Sequence, residues 1–143
     1  MTVRLVAAIV SFAALAGCGE SAITRARLER ALAPTFANLV HAQLGRMGLS
    51  AIPASRLRVV ASCYRAGGGD AGAGEWACTV VWSGPRGDTL RDGYEVTVTS
   101  NGCYTATLSS AEAQLGGPTV ASADGHQIRN LLYAFGGCFD TMP

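Results

Sequence analysis

Trp76-Ala77-Cys78-Thr79-Val80-Val81-Trp82, Gly93-Tyr94-Glu95-Val96-Thr97-Val98-Thr99 and Cys103-Tyr104-Thr105-Ala106-Thr107-Leu108 carry the strongest periodicity in the chain. Trp76, Cys78, Val80 and Trp82 stand in one phase of a two-residue repeat, with Ala77, Thr79 and Val81 in the other. Tyr94, Val96 and Val98 alternate in the same way with Glu95, Thr97 and Thr99. Successive side chains of a strand point to opposite faces, so this spacing predicts strands with one buried face. Ser83-Gly84-Pro85-Arg86-Gly87 reads as the turn that follows the first strand. The link at Ser100-Asn101-Gly102 sets the next register. A two-residue Asn101-Gly102 turn would oppose Val98 to Thr105 and waste the apolar face. A three-residue loop with Gly102 left-handed instead pairs Val98 with Tyr104, Val96 with Ala106 and Tyr94 with Leu108, and this is the expected register.

Upstream, Leu57 to Tyr64 is a further valine-rich strand, with Leu57, Val59, Ala61 and Cys63 on one face. The connection from Ala66 to Gly74 holds five glycines and Asp70 and reads as a flexible hairpin link. It lacks the Lys-Ser/Thr ending of a phosphate-binding loop and the spaced aspartates of a calcium loop. Between residues 22 and 47, Leu28, Leu32, Phe36, Leu39, Val40, Leu44 and Met47 recur at steps of three and four, which is one helical face. Pro34 removes a backbone donor inside that pattern and predicts a kink or a break, and Gly48 is a natural stop. Downstream, Ile128, Leu131, Leu132 and Phe135 have helical spacing and Asp124 is a candidate cap. Residues 124–135 therefore read as a short helix ended by Gly136-Gly137, the competing reading being a hairpin turn at Asp124-Gly125. The expectation is an α+β fold: a long N-terminal helix packed on a four-stranded antiparallel meander, with a short C-terminal helix. In architecture this resembles cystatin and NTF2-type folds, a likeness that implies no activity.

The first residues carry an address. Met1-Thr2-Val3-Arg4 is short and positive, and the apolar run Leu5 to Leu15 follows, broken only by Ser11. A membrane-spanning helix needs about 20 apolar residues, so this length suits the hydrophobic region of an export signal. The run ends in Leu15-Ala16-Gly17-Cys18, which resembles the lipobox of bacterial lipoproteins. The resemblance implies that residues 1–17 are removed, that Cys18 bears a diacylglyceryl group on its thiol, and that residues 18–21 are a short lipidated tether. Residues 22–143 are then a single domain on the extracytoplasmic face of the cell membrane. Two or three acyl chains hold a protein stably where one holds it only marginally. The tail Phe135-Gly136-Gly137-Cys138-Phe139-Asp140-Thr141 is loosely similar to small actinobacterial lipoproteins, which implies no activity.

Five cysteines fit this address, because Cys18 is the odd one and four remain to oxidise outside the cytoplasm. Cys63, Cys78, Cys103 and Cys138 allow three pairings. Cys63 and Cys78 share a face of two strands joined by the glycine loop and can meet, in which case Cys103 and Cys138 would tie the tail to the sheet; the sequence leaves the connectivity open. Each such bridge stabilises by roughly 3–4 kcal/mol. A zinc site is the competing use of four thiolates, and no C-x-x-C pair supports one.

Chemistry is sparse elsewhere. There are two histidines, His41 and His126. Ser109 or Ser110 with His126 and Asp140 is the one conceivable hydrolytic set, and no G-x-S-x-G elbow accompanies it. No pattern points to a cofactor or a metal. A net charge of +1 excludes a strongly basic nucleic-acid binder. That figure conceals a division: residues 18–65 hold seven arginines against two glutamates, and residues 66–143 hold three arginines against eight acids. Arg25, Arg27 and Arg30 crowd the start of the helix, where the macrodipole disfavours positive charge and anionic headgroups beside a lipid anchor would attract it. Trp76 and Trp82 read chiefly as core, and as a ligand groove where the helix leaves them uncovered. The function expected is that of a non-enzymatic binding module tethered to the envelope. The alternative is an accessory of an envelope protein complex.

Overall fold

The computed structural model describes residues 22–109 and 115–141. The predicted signal segment, Cys18 with its tether, and Ser110 lie outside the described residues. Helix α1 runs over Arg25–Arg46. Thr24 caps it, its Oγ1 accepting the Arg27 N–H at 3.3 Å. Leu28, Leu32, Phe36, Val40 and Leu44 form its buried stripe at four-residue steps. The break predicted at Pro34 does not occur: α1 continues through it. Pro34 sits on the exposed side, away from the stripe. Its missing N–H therefore falls where the core is not disturbed, and burial of the stripe outweighs the roughly 3 kcal/mol cost of an interior proline.

Among the described residues seven strands follow: β1 Val60–Arg65, β2 Gly74–Ser83, β3 Thr89–Val98, β4 Cys103–Leu108, β5 Thr119–Ala121, β6 Gln127–Arg129 and β7 Ala134–Cys138. The main sheet has the order β1-β2-β3-β4-β7, antiparallel throughout, and β5 and β6 form a separate two-stranded ribbon. Val98 pairs with Tyr104, Val96 with Ala106 and Tyr94 with Leu108, the register expected from the sequence. Gly102 has φ +78°, the left-handed turn residue that this register needs. Leu57 lies ahead of β1, after a single 3-10 turn at Ala54–Arg56, but is buried as its pattern implied.

The tail departs from expectation. Residues 124–135 are not helical, and the sheet has five strands rather than four. Ser122 donates its N–H to the His126 carbonyl at 2.8 Å, closing the β5–β6 turn around Asp124-Gly125. Gly125 is left-handed there at φ +84°. Gly136 and Gly137 do not stop a helix; they pair with Thr105 and Tyr104 inside β7. A Cβ on Gly136 would lie 2.7 Å from the Tyr104 carbonyl oxygen, and one on Gly137 2.8 Å from the Tyr104 hydroxyl. Both glycines thus mark close approach of β7 to β4. The helical spacing of Ile128, Leu132 and Phe135 was a coincidence of three separate placements: Ile128 on β6, Leu132 in the connection, Phe135 on β7.

One face of the main sheet receives α1. Phe36 lies at the centre of the core, its ring centroid 5.6 Å from Trp82, 6.1 Å from Tyr94 and 6.4 Å from Phe135. The opposite face carries exposed Glu95, Thr97, Thr105 and Thr107 together with Tyr64 and Val60. The glycine loop between β1 and β2, which its composition predicts as flexible, is pinned to the start of α1. Arg25 donates its N–H to the Asp70 carbonyl at 2.8 Å and pairs its guanidinium with the Asp70 carboxylate, and Gly72 donates to the Ile23 carbonyl at 2.9 Å.

Candidate functional site

The C-terminal half of α1 meets the residues that leave β4 and return to β7, and a cavity of about 360 Å³ lies between them. Its volume falls within the range of small-molecule sites, about 300–1,000 Å³. α1 contributes Val40, Gln43 and Leu44, and the sheet contributes Trp82 and Leu90. The excursion from β4 closes the other side with Leu115, Val120, Asn130 and Leu132. Exposed Pro85, Arg86 and Asp88, from the β2–β3 turn, stand at its rim.

Two side-chain amides hold the excursion in place. Asn130 is buried; its Nδ2 donates to the carbonyls of Leu115 at 2.7 Å and Gly117 at 2.8 Å, and its Oδ1 accepts the Leu132 N–H at 3.0 Å. It therefore organises a segment that has little regular structure of its own. Gln43 spends its Oε1 on the Leu131 N–H at 2.9 Å. Because a backbone N–H can only donate, this bond fixes which end of the Gln43 amide is oxygen. The Nε2 end is buried and finds no acceptor among the described residues.

Behind the cavity wall lies a second polar group. Asp92 is fully buried, and its Oδ2 accepts the Trp82 indole N–H at 2.8 Å, which orients the ring. Its Oδ1 has no partner among the described residues. Burial pushes the Asp92 carboxyl above the usual carboxylate range, and the indole bond pulls the other way more weakly. Tyr94 donates its hydroxyl to the Leu132 carbonyl at 2.8 Å. Burial first, and the neighbouring Asp92 second, hold its phenol far above the ordinary value.

Of the residues singled out from sequence, Trp82 lines the cavity and Trp76 does not. Trp76 is core, with its Nε1 donating to the Gly72 carbonyl at 3.3 Å. Cys63 is bonded to Cys78 and Cys103 to Cys138. The first bridge is buried on the helix-facing side; the second lies on the open face, where Cys138 is exposed. Arg25 is held by Asp70, Arg27 donates to the carbonyls of Ala22 and Asp140, and Arg30 is exposed. Arg27 and Arg30 share a shallow depression with Phe139 and Asp140 at the end of the molecule opposite the apolar cavity.

His41 is exposed on α1, its Nδ1 2.9 Å from the Ile52 carbonyl. His126 lies 3.8 Å from Asp124 on the β5–β6 turn. Ser109 follows β4, its Oγ 2.8 Å from where a Cβ on Gly93 would stand on the sheet's open side. These positions give His126 and Asp140 different neighbours. Among the described residues there is no group of three His, Cys, Asp or Glu side chains able to hold a metal, and no helix long and apolar enough to cross a membrane.

Gln43, Asp92 and Asn130 were missed in the sequence. The signal for two of them was present: Gln43 follows Phe36 and Val40 on the apolar stripe, and Asp92 shares the phase of Leu90, Tyr94 and Val96. A polar residue in an apolar phase marks a position that packing alone does not explain. In comparisons with known proteins, no family model, no curated protein and no solved structure matches the chain.

Proposed function

We propose that the chain is a lipid-anchored extracytoplasmic lipoprotein that works as a non-enzymatic binding module for a small apolar molecule. The observation that carries the binding reading is the apolar cavity between α1, Trp82 and the excursion from β4. Two bonded cysteine pairs favour an oxidising compartment, and the lipobox-like Leu15-Ala16-Gly17-Cys18 favours an anchor. The intact mass of membrane-extracted protein tests the anchor. Loss of residues 1–17, addition of acyl mass at Cys18 and two oxidised pairs are expected, and Cys18→Ser should release the protein from the membrane. A full-length, soluble, fully reduced chain would refute this reading.

Arg25, Arg27 and Arg30 face the membrane surface in this proposal. With Arg25 held by Asp70, exposed Arg30 supplies the freest charge of the three. Changing all three to Gln should weaken binding of the unlipidated chain to anionic liposomes, each charge contributing about 1 kcal/mol at most. Unchanged liposome binding would remove the arginines from the proposal.

A second reading, an accessory within an envelope protein complex, draws on the open sheet face. Val60 and Tyr64 are 62% and 63% exposed there, on one face of β1 with Ser62 between them, which leaves apolar surface open to a partner. Val60→Ser with Tyr64→Ser should leave ligand binding intact. Loss of cross-linking to envelope neighbours in that double variant would favour the accessory role.

A further inference from the structure

Resting on the binding reading above, we infer that the cavity selects a neutral fatty molecule bearing a carbonyl-type oxygen, such as an acyl ester or a ketone, and that Gln43 is the selecting residue. The walls formed by Val40, Leu44, Trp82, Leu90 and Leu132 are apolar and demand an apolar body. Gln43 is the exception. It is 3% exposed, borders the cavity, and already gives its oxygen to the Leu131 N–H. What remains is a donor, Nε2, shielded from solvent and lacking an acceptor among the described residues. A buried donor left unmatched is destabilising, so an acceptor oxygen that reaches it supplies the bond that solvent cannot. Because Nε2 is closed off from the cavity as well as from solvent, binding in this proposal includes a shift of the wall that uncovers it.

Charge argues for a neutral ligand. Arg86 and Asp88, of opposite sign, both border the cavity from the β2–β3 turn, and among the described residues no other charged side chain lines it. Asn130 offers no competing donor, since its amide is engaged with Leu115, Gly117 and Leu132.

The test uses the oxidised protein with two probes of one shape, 2-undecanone and undecane, titrated by the emission of Trp82 and by calorimetry. Gln43→Glu keeps an oxygen for Leu131 and removes the amide donor. It should weaken the ketone about tenfold, which corresponds to 1.4 kcal/mol, and change the hydrocarbon less than about twofold. Infrared spectra of carbonyl-labelled ketone in the unsubstituted protein supply a readout that does not depend on how the variant folds. The bound carbonyl stretch should move to lower wavenumber than in dry hydrocarbon. An unshifted stretch, or equal losses for both probes, would overturn the role of Gln43 while leaving the cavity as a binding site. Binding of neither probe would overturn the binding reading itself.

Discussion

Asp92 places a carboxyl where water does not reach, and the sign of its effect on stability follows from that. Burial raises its pKa in the folded chain above the value of about 3.9 expected when unfolded. The folded state then holds the proton more tightly. Its contribution is most favourable below the unfolded pKa, declines as pH rises through the folded pKa, and stays low above it. Asp92→Asn keeps an oxygen for the Trp82 indole and cannot ionise. Thermal melts should show it more stable than the parent at about pH 8, with a smaller loss between about pH 4 and pH 8; each kcal/mol relieved corresponds to roughly 2–4 °C. A variant less stable than the parent at about pH 8 would show that the charged form is supported by groups other than Trp82. Gly136 makes the opposite point, that a missing side chain can be the requirement. With a Cβ directed 2.7 Å from the Tyr104 carbonyl, Gly136→Ala should cost about 1–3 kcal/mol in denaturant melts. Gly67→Ala, with nothing within 4 Å, is the control and should change little.

At the level of elements, legibility followed the length of each pattern. Helix α1 and strands β2 to β4 carry long repeats, and their faces and the β3–β4 register were readable because a one-residue slip would have turned Tyr94, Val96 and Val98 outward. β3 extends further back than its pattern shows: Asp92 breaks the apolar phase ahead of Tyr94, although the strand starts at Thr89. The three-residue strands β5 and β6 are too short to show a period, so a chance helical spacing outweighed the turn signal of Asp124-Gly125. The cavity stayed hidden for the same reason. One side of its wall comes from that excursion, and a side chain's neighbours across such a segment depend on the tertiary bonds of Asn130 and Gln43. The disulfides, by contrast, were readable once adjacent strands were placed. Their settings predict different reactivity: mild reductant should open exposed Cys103–Cys138 before buried Cys63–Cys78, as read by alkylation and peptide mass. Simultaneous opening would mean that the sheet unfolds before either bond reacts.

Across the molecule, the buried apolar side chains among the described residues form one cluster that runs from Ile23 just ahead of α1 to Phe135 on β7. α1 has 22 residues, so it extends about 33 Å at 1.5 Å per residue, and the apolar cavity lies along its C-terminal half. The division of charge along the chain is partly internal, since Arg25 meets Asp70 across it. It is therefore in part a device of folding and not only a surface property.

The two sulfur bridges have a further consequence through where they sit in the strand order. Each outermost strand, β1 at one margin and β7 at the other, is riveted to its inner neighbour. Neither margin can be lent singly to another copy of the chain while its rivet holds, so exchange of an outermost strand waits on release of the thiol pair at that margin.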